Sequence, residues 1–270
     1  MPASAQAHAE EAYALGRLGG GDRVVAAGLR NLGVCALRQG CLDEAIDYLD
    51  HSLSLWRQID GGAPGSVGHG LGWTLLYRAA IAFRQGRHEQ EETDYLECVQ
   101  LFRQVKDANF LALGLRRLGN TKLRRGEVEQ ARTLFQESLQ LNLAANSRRG
   151  IVASLASIAT TLAARGEGQA AVRLFSAAKT LLASAPTMLT LTDRVEWENT
   201  QQVFQNLLDD EALRSAQEVD QTLTLQQIVD DALKHGAATA ADVPSAIQPD
   251  TERVSILTVR EREVAALIAQ

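Results

Sequence analysis

Proline is nearly absent from this sequence, with five in 270 residues, so long helices can run uninterrupted. Aromatic residues make up only 5% of the chain, and β-branched residues are sparse, which argues against a strand-rich core. Cysteine is scarce too. Cys35, Cys41 and Cys98 show no C-x-x-C spacing, which excludes a disulfide scaffold or a thiolate zinc site and fits a reducing cytoplasm. No run approaches the length of a membrane-spanning helix. The opening Met1-Pro2-Ala3-Ser4-Ala5-Gln6 has no basic segment before an apolar core, so neither export nor membrane insertion is expected. An excess of basic charge is also missing. The formal net charge is −6, whereas a surface that grips a phosphate backbone carries a basic face.

What is present is alanine and leucine, the leading members of a 46% hydrophobic composition and both good helix formers. A chain of this length can bury a sizeable core, and the composition predicts an all-α protein. It also repeats. Four glycines, Gly40, Gly86, Gly126 and Gly166, close similar surroundings at spacings of 46, 40 and 40 residues. Each follows one apolar-periodic helix and precedes another, the place of a C-terminal helix glycine. Upstream stand Leu32-Gly33, Leu118-Gly119 and Ile158-Ala159. Downstream come Ala45, Ala131 and Ala171, then Leu49, Phe135 and Phe175, then Ser52, Ser138 and Ala178. Small positions admit close helix approach and large ones fill the space between. The pattern predicts a right-handed α-solenoid of tetratricopeptide-like helix pairs, with Phe135 and Phe175 buried between helices.

The second unit is irregular: Arg78 precedes its small Ala79, and Glu91 stands where the other units have alanine. Gly61 to Gly70 reads as a glycine-rich insertion between units. It lacks a preceding strand and either phosphate-loop motif, so nucleotide binding is not expected there. Residues 4–18 read as the second helix of a unit whose first helix is missing. After Pro186 come further helical stretches at 190–208 and 209–220, then a helix from Leu225 to Leu233 capped by Thr224 and Gln227. The organisation expected is a repeat domain with closing helices over 1–234, a linker over 235–257, and the start of a helix over 258–270. Thr258 and Glu261 have capping-box spacing there, with Val264, Leu267 and Ile268 at helical spacing behind them.

Leu257-Thr258-Val259-Arg260-Glu261-Arg262-Glu263-Val264 resembles the opening of the LuxR-type helix-turn-helix. The repeats, Arg173 to Ala178 and Leu223 to Ile228 resemble the array that precedes it in the large ATP-binding LuxR-type regulators. The resemblance implies a sensor or docking module that binds a peptide, a protein or a small effector and controls a C-terminal DNA-binding domain. Of that domain only the first helix is present, with Thr258, Arg260, Glu261 and Arg262, and the recognition helix is absent. ATP is implied only for an N-terminal domain that this sequence does not contain, and no cofactor is expected in the chain itself. Membrane partners are not expected, and self-association is open. A free-standing tetratricopeptide scaffold and an accessory domain of an enzyme stand as alternatives.

No catalytic or metal constellation emerges. His8, His51, His69, His88 and His235 are scattered and read as surface or loop residues, and the acidic residues read as solvated helix faces. The protein is not expected to be an enzyme. Cys35 and Cys41 read as small thiols packed between helices. Tetratricopeptide-like arrays bind ligands on the concave surface of the first helices, and the register assigns Arg30, Trp73, Leu76, Phe83, Arg116, Asn120 and Arg124 to it. Arg116, Asn120 and Arg124 share one helix stripe, suited to a peptide carboxylate or backbone, while Trp73 and Phe83 supply apolar contact.

Overall fold

The computed structural model describes residues 2–59, 66–183, 197–204 and 225–234, and among these every regular element is helical. The helices are α1 (Pro2–Leu15), α2 (Asp22–Gln39), α3 (Leu42–Ile59), α4 (Ser66–Arg84), α5 (His88–Gln104), α6 (Ala108–Arg124), α7 (Val128–Ala144), α8 (Arg148–Ala164), α9 (Gly168–Ala183) and α10 (Leu225–Lys234). Residues 197–204 are helical as well. A single π turn, Gly16–Gly20, links α1 to α2. The chain forms two compact units, Met1–Gly114 and Leu115–Gln270. Within each, consecutive helices pack in series, α1 on α2, α2 on α3, α3 on α4 and α4 on α5 in the first, α7 on α8 and α8 on α9 in the second. This is the all-α, tetratricopeptide-like architecture that the sequence predicts.

The turns set the period. Gly86, Lys106, Gly126, Asn146 and Gly166 all have positive φ, at intervals of 20 residues. At each, the left-handed residue and its successor donate backbone bonds into the helix just ended. Gly126 N bonds Leu123 O at 3.0 Å and Glu127 N bonds Lys122 O at 3.0 Å, and the same pair recurs at every one of these turns. That is the Schellman pattern, which satisfies the last carbonyls of the helix. The successor residue then caps the next helix, as where Glu127 O accepts from Ala131 N at 3.0 Å, so three residues separate neighbouring helices. The glycine spacing reveals only alternate turns, because Lys106 and Asn146 hold the same conformation without being glycine.

The small and large positions do meet. Phe135 has no exposed surface, and a Cβ at Gly119 would lie 2.4 Å from its Cε1. Gly33 stands in the same relation to Leu49, at 2.8 Å from Cγ. Phe175 is buried as expected, its ring stacked on Phe204 at 4.4 Å and on Trp197 at 5.1 Å. Helix α10 packs on α8 and α9, burying Ile228, Val229 and Ala232, and Gln136 Nε2 donates to Ala232 O at 3.1 Å.

The irregular second unit is rebuilt around an ion pair. Asp94 is fully buried; Arg78 Nε donates to its Oδ2 at 2.8 Å and Nη2 to its Oδ1 at 2.6 Å. Gln90 Nε2 donates to Asp94 Oδ1 at 2.6 Å, and Arg78 Nη1 donates to Asp50 Oδ1 at 3.0 Å. Burial opposes the Arg78 charge, yet Asp94 and Asp50 raise its pKa above the ordinary arginine value. Glu91, in the small position, is buried too, with Oε2 3.5 Å from His88 Nδ1. Asp94 and Glu91 therefore correct the reading of the acidic residues as solvated faces.

Other expectations are corrected as well. The glycine-rich stretch is not all insertion, because α4 already begins at Ser66. Gly70 is a packing position within it, where a Cβ would fall 2.4 Å from Trp56 Cζ2. Cys41 is exposed and Cys35 half-buried, so the tightly packed thiol is Cys98. The linker 235–257 and the segment 258–270, with Thr258, Arg260, Glu261 and Arg262, lie outside the described residues.

Candidate docking face

His69, Trp73 and Tyr77 stand four residues apart on α4 and share one stripe of that helix. All three are half-buried. Trp73 stacks on Tyr77 at a centroid distance of 5.4 Å and meets the Phe110 ring of α6 edge-on at 4.5 Å. The His69 ring stands edge-on to Phe110 at 5.0 Å and to Phe102 of α5 at 6.0 Å. These contacts form a continuous aromatic surface in which His69, Trp73, Tyr77 and Phe110 keep part of their area open to solvent over a fully buried Phe102.

Its polar end is fixed by hydrogen bonds. Trp73 Nε1 donates to His69 Nε2 at 3.1 Å, while His69 Nδ1 lies 3.3 Å from Asp107 Oδ2. A carboxylate only accepts, so the ring proton belongs on Nδ1 and the ring is neutral with Nε2 free to accept. Asp107 in turn caps α6, its Oδ1 accepting from Phe110 N at 3.2 Å. One carboxylate thereby orients both the histidine and the helix that carries Phe110.

Arg30 on α2 borders this surface near Tyr77. Burial lowers its pKa from the ordinary arginine value, and Tyr77 opposes that shift. Its Nε and Nη2 donate to Asn31 Oδ1 at 3.3 and 3.0 Å, and no carboxylate among the described residues bonds it. The result is a half-buried cation beside an aromatic platform, chemistry suited to a segment with an apolar side chain next to an anionic group.

Of the residues expected in the groove, Arg30 and Trp73 belong to this face. Phe83 lies near the C-terminal end of α4, half-buried, with its ring 6.3 Å from that of His88. Leu76 is buried. Arg116, Asn120 and Arg124 belong to the other unit, where Arg116 is buried and Asn120 and Arg124 are half-buried. Arg124 Nη2 donates to Thr121 Oγ1 at 3.3 Å. His69, Tyr77 and Phe110 were missed. The four-residue spacing of His69, Trp73 and Tyr77 was legible, but the glycines around His69 read as a loop. Phe110 arrives from another helix and carried no sequence signal. No group of three or more potential metal ligands occurs among the described residues, and none of their helices is long and apolar enough to cross a membrane.

The tetratricopeptide repeat family model matches residues 24–104 and 70–144. A crystal structure of BtubC (BKLC) from P. vanneervenii is similar in fold, with a TM-score of 0.59 at 13% identity, covering 93% of this chain and 95% of that one. No curated protein matches the sequence.

Proposed function

We propose that the chain is a non-enzymatic interaction module that docks a peptide or an exposed segment of a partner protein on the Arg30–Trp73–Tyr77–Phe110 face. The carrying observation is the aromatic surface itself, in which Trp73, Tyr77 and Phe110 meet and each stays half-open to solvent. Tetratricopeptide repeats mediate protein–protein interaction, which supports the coarser role, and aromatic and arginine side chains dominate binding energies at such surfaces. Arg116, Asn120 and Arg124 remain candidates for a second polar contact in the other unit.

The finer reading places this module in a LuxR-type transcription regulator, with DNA bound through a C-terminal domain. It rests on the wording of Leu257 to Val264. A free-standing scaffold shares the docking chemistry and differs only in that context, which the gene sequence downstream of codon 270 decides.

Selection of displayed peptides on the intact chain tests the docking face. Selected peptides should lose about tenfold or more in affinity with Trp73→Ala or Arg30→Ala while the helical circular dichroism is retained. Peptides that bind both variants as well as the parent chain would locate recognition elsewhere.

A further inference from the structure

We infer that His69 is a proton switch that sets the position of the Trp73 indole and thereby regulates docking on this face; the regulatory part rests on the reading above. The bonding pattern leaves His69 room for one proton more. In the neutral ring Nδ1–H faces Asp107 and Nε2 accepts from Trp73 Nε1. Protonation puts a hydrogen on Nε2, so that two donors face each other and the indole bond is lost. The Asp107 carboxylate keeps its place 3.3 Å from Nδ1 and becomes the counter-ion of the imidazolium.

The surroundings make the response local. Against His69 stand Phe102 from α5, Phe110 from α6, Asp107 from the turn between them and Trp73 one turn along its own helix. Among the described residues, Asp107 is the one charged group within ion-pair distance of the ring. Trp73 is also the ring that touches both Tyr77 and Phe110, so its movement rearranges the whole platform. Histidine is the side-chain type whose ordinary change of charge falls between about pH 5 and 8.

The chain has three tryptophans, so indole N–H resonances of the full-length protein report the switch directly. The Trp73 resonance, assigned by its loss in Trp73→Phe, should move along a single-proton curve from pH 8 to 5. In His69→Gln it should stay fixed, because the amide oxygen accepts from the indole at every pH while the amide nitrogen faces Asp107. An immobile Trp73 resonance in the parent chain, or movement that persists in His69→Gln, would each overturn the switch. Peptides selected at pH 7.5 should bind about three- to tenfold more weakly at pH 5.5, and this loss should vanish in His69→Gln. A moving indole with pH-independent peptide binding would overturn the docking reading instead, since Trp73 would then lie away from the bound peptide.

Discussion

Gly119 and Phe135 fit each other so closely that a single added carbon on Gly119 would lie 2.4 Å from the ring. The ring is fully enclosed and cannot swing aside. Gly119→Ala should therefore cost about 1–3 kcal/mol by overpacking, and Phe135→Ala about 3–5 kcal/mol by cavity formation. Urea unfolding measures both. The cost of Gly119→Ala should shrink when Phe135 is already alanine, and an additive double mutant would show that the two do not constrain each other.

The left-handed turns separate into favoured and strained positions. Lys106 and Asn146 adopt φ of 56° and 50°, a region in which a side chain costs about 1–2 kcal/mol for most residues. Lys106→Gly should stabilise the chain by up to about 1 kcal/mol in thermal unfolding, and Gly126→Ala should destabilise it by a similar amount. Opposite signs would contradict the equivalence of these turns.

The buried Arg78–Asp94 pair gives a sharper contrast. Asp94→Asn or Arg78→Met should cost about 3–5 kcal/mol, because each strands a buried charge or leaves its partner unpaired. Two helix pairs later the corresponding residues are Ile158 and Leu174, both buried and apolar. The double change Arg78→Ile with Asp94→Leu should recover most of the loss, as measured by denaturant midpoint. Failure to recover would mean that the ion pair specifies the packing of this unit.

Cys98 ties stability to alkaline pH. Burial, then the nearby Asp94 and Glu97, push its thiol well above the ordinary value of 9.0. In the range between the unfolded and folded values only the unfolded chain gives up the proton. The contribution is thus complete below about pH 9 and is lost as pH rises, at about 1.4 kcal/mol per pH unit. Cys98→Ala should flatten that part of the stability profile. In the folded chain Cys41, which is exposed, should alkylate readily while Cys98 stays protected.

The local pattern of small and large residues was enough to foresee the helix pairs, the buried Phe135 and Phe175, and the turns at Gly40, Gly86, Gly126 and Gly166. These depend on short-range rules: helix periodicity, left-handed caps and volume complementarity at fixed offsets. The turns at Lys106 and Asn146 were hidden because a residue other than glycine holds the left-handed conformation there, so no glycine marks the turn.

The sequence alone therefore determined the fold class and the 40-residue spacing of the helix pairs, since both follow from short-range rules, while the structure supplied the turns halfway between, at Lys106 and Asn146. Tertiary structure decided the chemistry of the candidate site. Asp107 orients His69 across two helices, Phe110 from α6 completes a platform begun on α4, and Asp94 becomes a buried carboxylate because Arg78 from the neighbouring helix meets it with two hydrogen bonds. Such arrangements depend on which side chains from different helices share one space, and no periodicity within a single helix encodes that.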